Sequence, residues 1–475
     1  MKILVAIANH GTKNMGFVST VLQEYRSMQF ETDIVVLSNI PKDLGPDIEV
    51  IVGCPAKDPW SLPFGHKRLF AERAEAYDLF IYSEDDTLIR ETNIRAFMNV
   101  TSILPDDEVA GFIRFETDSS GEKYYSTMNS HFHWVPDSVR TIRSYTFARF
   151  TNPHSACYVL TQKQLKKAIT SGGFLVQPHE EKYDLLVTAA TDPYTQCGLT
   201  KVICVSHIED FCLHHLPNQY LGRMGVSTKE LTCQLDAIMA MASNGSQPEE
   251  LLNGETDLKQ GRWSKNYYEN CRHDIIELIP ESVKRVLSVG CGWGETEAEL
   301  IEKGLAVAAV PLDPVIGAVA RAKGVALAPA SFNKAFETLA GQSFDCIVFS
   351  DVLQHLVDPV SILSRFSELL SSNGVVVLSV PNFNHVKVWR DLLSGEISWE
   401  QKRTFGNSRL HFTTKRMVNK WLDQSGMKPV KIVFGVEERY RKIIRLSLGL
   451  FRNLLASHVI MVAKRKADSN VEGDS

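Results

Sequence analysis

The 475-residue sequence has no run approaching the roughly 20 apolar residues that a membrane-spanning helix requires, which excludes an α-helical integral membrane protein. It has no excess of positive charge. Lys and Arg number 51 against 56 Asp and Glu, a formal net charge of -5, so a general nucleic-acid binder is excluded for want of a basic stripe to neutralise phosphates. It has no tight C-x2-C pair of the kind that anchors most structural zinc sites. Cys197, Cys204, His207, Cys212, His214 and His215 lie close in sequence but read as buried strand residues. The cysteine count is nine, an odd number in a long chain, which fits reduced thiols better than a disulfide framework. The apolar run at Ile3–Ala8 is too short for a secretory h-region. A cytoplasmic location is expected, with the inner face of a membrane as the alternative. No internal repeat is present.

The sequence does show two α/β series with a polar break between them. Its length exceeds what one core usually supports. In the first half, strands are expected at Lys2–Ala8, Asp33–Ser38, Glu49–Gly53 and Leu79–Ser83. Helices are expected at Gly16–Met28, with Val18, Val21, Leu22 and Tyr25 on one face, and at His66–Ala76. Gly111–Tyr158 is richer in aromatics and turns. Residues 242–262 read as a linker with a short helix around Pro248–Leu252, and residues 467–475 as a disordered tail. The domains expected are therefore 1–241 and 263–466. In the second, helices are expected near Tyr267–Leu278, at Glu295–Lys303 and at Ile316–Ala322. Strands are expected at Arg285–Val289, Ala306–Pro311, Cys346–Ser350 and Val375–Val380.

The central segment of the second half is Val286-Leu-Ser-Val-Gly-Cys-Gly-Trp-Gly-Glu-Thr-Glu-Ala298. A buried strand runs into Gly290, Gly292 and Gly294, and a helix follows. Glycines at such a turn allow close backbone approach to a ligand and tolerate positive φ. The next strand ends at Asp313, where a carboxylate can accept hydrogen bonds from both hydroxyls of a ribose. The spacing is G-x-G-x-G. A dinucleotide fold wants its last glycine where Glu295 stands, and this carboxylate would repel a pyrophosphate.

Further segments add to this: Tyr267-Tyr268, Arg272, Ile279-Pro280, Phe344–Pro359, Gly374–Asn382 and Arg409–Thr414. In this order they resemble the class I methyltransferase family over about 200 residues. The resemblance implies a Rossmann-like, seven-stranded, doubly wound sheet whose last strand, at Ser457–Ala463, is antiparallel. It implies S-adenosylmethionine as cofactor, with Gly290, Gly292 and Gly294 around its methionine part, Asp313 on its ribose, and Ser350 and Asp351 lining the pocket. Two positions depart from the family pattern. Ser288 stands where an acid is common, and Ser331 or Asn333 replaces an aspartate near the adenine. A hydroxyl acceptor would profit from a general base, for which His355, His385 and His411 are candidates alongside structural roles.

In the first half, the hydrophobic strand Leu79–Ser83 ends in Glu84-Asp85-Asp86. Grouped carboxylates at a strand end suit a hard divalent ion, Mg²⁺ or Mn²⁺, or form a solvated acidic turn. This part resembles the GT-A glycosyltransferase fold over roughly residues 1–235. The resemblance implies a nucleotide sugar as donor, a glycan acceptor, Asp86 as metal ligand with Glu84, and a late ligand in His214 or His215. Asn9, His10, Glu84 and Asp85 would line the nucleotide-sugar pocket. An inverting transferase also needs a carboxylate base, and Asp184 and Asp192 are candidates beside capping or surface roles.

The segment Arg439–Arg452 is basic and amphipathic. We read it as a helix packed on its own domain, with a peripheral contact to an anionic membrane as the alternative. The expected protein is thus a two-domain α/β enzyme, a GT-A-like glycosyltransferase followed by a methyltransferase, acting in polysaccharide or glycoconjugate synthesis. The alternatives are a methyltransferase whose first half is a non-catalytic glycan-binding or docking module, and an oxidoreductase second domain.

Overall fold

A computed structural model describes residues 1–126, 132–180, 183–221, 225–245, 250–252, 265–394 and 411–466. The tail 467–475 and most of the expected linker lie outside these residues. The chain forms two compact units, Met1–Gln247 and Pro248–Ser475. No helix among the described residues is long and apolar enough to cross a membrane.

The first unit is built on β1 (Lys2–Asn9), α1 (Met15–Ser27), β2 (Glu31–Ser38), β3 (Ile48–Val52), α2 (Gly65–Glu72), β4 (Leu79–Glu84) and β5 (Cys157–Thr161). Their sheet has the order β5-β4-β1-β2-β3. β1, β2, β3 and β4 run parallel and β5 antiparallel to β4. The stretch from Ile3 to Ile7 is fully buried, as its uninterrupted apolar sequence requires of a strand covered on both faces. α1 buries Val18, Val21, Leu22 and Tyr25, the expected stripe. The chain moves outward from β1 to β3 and then returns to β4 on the other side of β1. The strand order therefore reverses between β1 and β4, and a crevice opens beyond their carboxyl ends.

The second unit has β6 (Arg285–Cys291), α3 (Glu295–Glu302), β7 (Ala306–Pro311), α4 (Pro314–Ala322), β8 (Ala326–Leu327), β9 (Phe344–Ser350), α5 (Pro359–Ser367), β10 (Leu370–Pro381), β11 (Met427–Val436), α6 (Glu438–Leu446) and β12 (Ala456–Arg465). The seven strands lie in the order β8-β7-β6-β9-β10-β12-β11. β12 is antiparallel to both of its neighbours and the remaining pairings are parallel. The strand expected at Ser457–Ala463 is thus the antiparallel one. Here the order reverses between β6 and β9, beside the glycine turn.

Three local expectations need correction. The helix Thr228–Asn244 runs three residues into the expected linker and stops at left-handed Gly245. Residues 250–252 are irregular rather than helical, and Leu251 N–H donates to the Leu312 carbonyl at 2.8 Å. The helix expected over Tyr267–Leu278 shrinks to His273–Ile276. Its first half is unwound because its carbonyls serve the glycine turn: Tyr267 O accepts from Trp293 N at 3.0 Å and Glu269 O from Trp293 Nε1 at 2.7 Å.

Candidate functional site

In the second unit, Gly290 and Gly294 hold φ of +85° and +87°. A Cβ on Gly290 would stand 2.2 Å from a Val352 methyl, and one on Gly292 would stand 2.3 Å from the Tyr267 carbonyl oxygen. The positions of Gly290 and Gly292 exclude side chains because Val352 and the neighbouring backbone press against them. Segment 265–269 lies along this turn. Together with Ser288, Glu297 and Ser350 it encloses a cavity of about 20 Å³, room for a water molecule but far below a nucleoside.

The segment is held by charge. Lys265 Nζ donates to Glu269 at 2.8 Å and to the Ser350 carbonyl at 2.6 Å. The Arg272 guanidinium contacts Asp351 at 2.7 Å, Glu269 at 3.0 Å, Ser350 Oγ at 3.1 Å and Asp274 at 2.8 Å. Burial opposes ionisation of Asp351, but Arg272, Lys265, His458 and the Ser379 hydroxyl together hold its carboxyl below the usual range. Asp351 also sits at φ +49°, a left-handed conformation costly for a residue with a Cβ. Ser350 lines the small cavity beside Gly290, Gly292 and Gly294, and Asp351 stands next to it, paired with Arg272.

Asp313 is buried at the end of β7 and caps α4, its Oδ1 accepting from Ile316 N at 2.8 Å. Proline at the first position of α4 fits this start, which falls two residues before the expected one. Burial pushes the Asp313 carboxyl up to about 7, against two backbone hydrogen bonds. Ser331 caps the helix Phe332–Leu339, and Asn333 Oδ1 is taken by Arg365.

Glu297 escaped the sequence reading. It projects from α3, is buried, and accepts from Ser288 Oγ at 2.5 Å. A carboxylate therefore lies next to the position where the resemblance wanted an acid and found Ser288. An unusual serine there, with a glutamate in the first turn of the following helix, was the available signal.

The three histidines separate. His411 Nε2 lies 2.8 Å from the Leu356 carbonyl and the His411 backbone N–H donates to Gln354 O at 2.7 Å, so it pins the loop after β9. His385 caps the helix Val386–Leu393 through Nδ1, which accepts from Lys387 N at 3.2 Å. His355 is buried in the loop after β9. Burial and the Lys265 charge push its imidazole down to about 4, against Asp351, so it is neutral at physiological pH.

In the first unit, His10, Asn14, Trp60, Glu84, Asp85 and Asp86 are among the residues lining a cavity of about 320 Å³ at the reversal between β1 and β4. Burial is the main force raising the Glu84 carboxyl to about 8, with Asp85 and Asp86 adding to it and Arg114 opposing. Glu84 Oε1 and Asp86 Oδ1 are buried without a hydrogen-bond partner among the described residues. Asp86 Oδ2 lies 3.5 Å from His215 Nε2, whose other nitrogen meets Glu116 at 2.6 Å.

Several first-half assignments change. Asn9 does not line the cavity. It is buried behind Asp85, to which its amide donates, while its oxygen accepts from Lys42. Asn14 donates to the same carboxylate at 2.9 Å. His214 turns away, stacking on Phe115 with ring centroids 5.0 Å apart and meeting Asn218 at 3.2 Å. Asp184 is an exposed helix cap, accepting from Val187 N at 2.9 Å. Asp192 is fully buried and paired with Lys67, so it cannot reach an acceptor. No group of three or more His, Cys, Asp or Glu side chains among the described residues is arranged to hold a metal ion. Glu84, Asp86 and His215 thus fall short of the expected divalent-metal site. All nine cysteines are free, and no zinc cluster forms among the described residues.

The sequence model of the methyltransferase-domain family matches residues 263–432. A ubiquinone biosynthesis O-methyltransferase of Dinoroseobacter shibae is 27% identical over 163 residues, 33% of this chain and 65% of that protein. One of Xylella fastidiosa is 33% identical over 113 residues, 23% of this chain and 46% of that protein. The chain thus spans less than two thirds of the length of these curated relatives. A SAM-dependent methyltransferase of Archaeoglobus fulgidus aligns in structure with a TM-score of 0.33 at 19% identity, over 41% of this chain and 91% of that one.

Proposed function

We propose, from the methyltransferase-domain match over residues 263–432, that the second unit transfers a methyl group from S-adenosylmethionine to an oxygen acceptor. The observation that carries this reading is the glycine-rich turn at Gly290–Gly294 lying beside a buried acid, Asp313, at the carboxyl end of the next strand, where Leu312 N–H donates to Cys291 O at 2.9 Å. The donor set fits the cofactor: Lys265 and Arg272 offer cations to a carboxylate, Glu269 and Glu297 offer acceptors to an ammonium, and Asp313 offers a carboxylate to a diol. Bound there, the cofactor supplies a methyl group activated by a sulfonium. The O-methyltransferase relatives support oxygen as the acceptor atom.

Calorimetric titration of the full chain with S-adenosylmethionine and, separately, NAD tests this. Saturable binding of the first alone is expected; binding of NAD alone would remove the proposal. Glu297→Ala is expected to weaken cofactor binding about tenfold, the loss of one charge-assisted hydrogen bond. Adding Ser288→Asp should recover part of that affinity, because it returns a carboxylate to the same neighbourhood. An unchanged dissociation constant in Glu297→Ala would exclude this role.

A second reading concerns the first unit. The 320 Å³ cavity at the reversal between β1 and β4, with three carboxylates and exposed Trp60, favours a nucleotide-sugar site that makes the chain a two-activity enzyme in glycoconjugate synthesis. Trp60 offers a flat face for a base or sugar ring. Asn14 and Asn9 fix the Asp85 carboxylate. Turnover of a panel of sugar nucleotides by the wild-type chain, lost in Asp86→Ala, is the expected result. Full turnover in that variant would leave the unit as a non-catalytic glycan-binding or docking module.

A further inference from the structure

The segment between β11 and β12 does not pack as its sequence suggested. Helix α6 buries none of its side chains. It stands off β11 across a groove of about 570 Å³, with Ile432, Phe434 and Val436 on the strand side and Arg441, Arg445 and Arg452 on the other. The helix end and the turn after it carry alternate apolar residues into solvent: Leu446 is 86% exposed, Leu448 94% and Leu450 82%, with Phe451 half exposed. Leu448 and Gly449 are both left-handed, at φ +49° and +85°. The left-handed conformation of Leu448 costs free energy, and several large apolar side chains exposed together at one turn mark a contact with something outside the chain.

The charge around the row says what. Residues 437–455 contain five cations, Arg439, Arg441, Lys442, Arg445 and Arg452, and two acids, Glu437 and Glu438. The acids pair with Arg439 and Arg441 at the start of the helix. Lys442, Arg445 and Arg452 make no ion pair among the described residues, and they flank the apolar turn. Leucines at a protruding tip between unpaired cations complement a surface that is anionic outside and apolar beneath, which is a lipid bilayer. A protein partner would more commonly meet a flat, charge-depleted patch.

Topology gives this surface a direction. β11 pairs antiparallel with β12, and β12 antiparallel with β10, so β11 runs parallel to β10. Its carboxyl end, where the basic segment begins, therefore lies on the same edge of the sheet as the glycine turn after β6. The neighbouring helix Val386–Leu393 follows β10 on that edge and exposes Trp389 and Leu393, a tryptophan being well suited to a headgroup region. Lys387 lies 3.6 Å from Glu437, which ties the two segments together.

We propose that residues 438–455 dock the second unit onto an anionic membrane surface, the leucine turn entering the headgroup layer and the arginines contacting lipid phosphates. The sheet edge that carries the glycine turn then faces the bilayer. This docking stands apart from methyl transfer and does not require it.

Co-sedimentation of the full chain with vesicles tests it directly. The protein is expected to bind phosphatidylcholine vesicles containing phosphatidylglycerol, to bind pure phosphatidylcholine far less, and to be released as salt is raised. Arg441→Glu/Arg445→Glu should lower the partition coefficient by at least about tenfold, since each cation near such a surface contributes about fivefold. Leu448→Asp/Leu450→Asp should lower it as well, with the melting temperature unchanged because both side chains are solvated. Equal binding to neutral and anionic vesicles, or no binding by the wild-type chain, overturns the proposal whatever the variants do. So does a wild-type dimer in light scattering that Leu448→Asp/Leu450→Asp converts to a monomer, which would make the face a contact between copies of this chain.

Discussion

Asp192→Ala is expected to destabilise the N-terminal unit by about 3–5 kcal/mol, the effect of removing one partner from a buried ion pair. Asp192 is 0% exposed and Lys67 2% exposed, and the two are in direct contact. Burial alone pulls the Lys67 amine below its usual range, and Asp192 is the principal force opposing that. Without the carboxylate, Lys67 keeps a desolvated charge over the Phe64 ring, 4.3 Å from its centroid, or gives up its proton. The thermal transition of this unit should fall by about 10 °C. Lys67→Met/Asp192→Leu should recover most of the loss, because an apolar pair of similar volume carries no desolvation cost. Two compact units allow two transitions, so circular dichroism melts read the effect with the second unit as internal control. A loss below about 1 kcal/mol would mean that the pair is not desolvated as described.

Asp313 separates cofactor binding from stability. Asp313→Asn keeps a good helix cap but removes the charge, so the melt should match wild type below about pH 4 and exceed it at pH 7 and above, where the wild-type carboxyl must ionise while buried, while affinity for S-adenosylmethionine drops about 100-fold, the loss of two charge-assisted bonds to a diol. Asp313→Ala should lose the cap as well, a further cost of about 1 kcal/mol in stability. The pH dependence runs in opposite senses for the two properties. The folded carboxyl titrates near 7, above the unfolded value, because of burial. Folding therefore takes up a proton between about pH 4 and pH 7, and the contribution of Asp313 to stability falls as pH rises through that window. Cofactor binding needs the ionised form, so affinity should climb from about pH 6 to about pH 8. In Asp313→Asn both dependences should vanish. Calorimetry at matched ionic strength reads the second, and melts over the same range read the first.

Much of the architecture was legible in the sequence. The apolar runs at Ile3–Ala8 and Val286–Val289, and the alternation of strands with amphipathic helices, reflect local rules: burial on two faces for a parallel strand and a 3.6-residue stripe for a helix. The glycine turn and Asp313 were visible for the same reason, since a strand end followed by a helix cap is a local pattern. Gly292 already implied a close approach, though not that Tyr267 would supply the approaching carbonyl.

What the sequence alone determined is the set of elements and the chemical types at their ends. Which candidates share a site was decided by tertiary structure, because it depends on where separate elements bring their side chains. Asp192 reads as a carboxylate fit for a base until a lysine 125 positions away buries it. Glu297 reads as an ordinary helix glutamate until Ser288, on the preceding strand, turns it inward. Residues 439–452 read as a packed helix until β11 leaves them standing clear of the sheet. Periodicity records how each segment meets its immediate neighbours, whereas desolvation and charge pairing are set by residues distant in the chain.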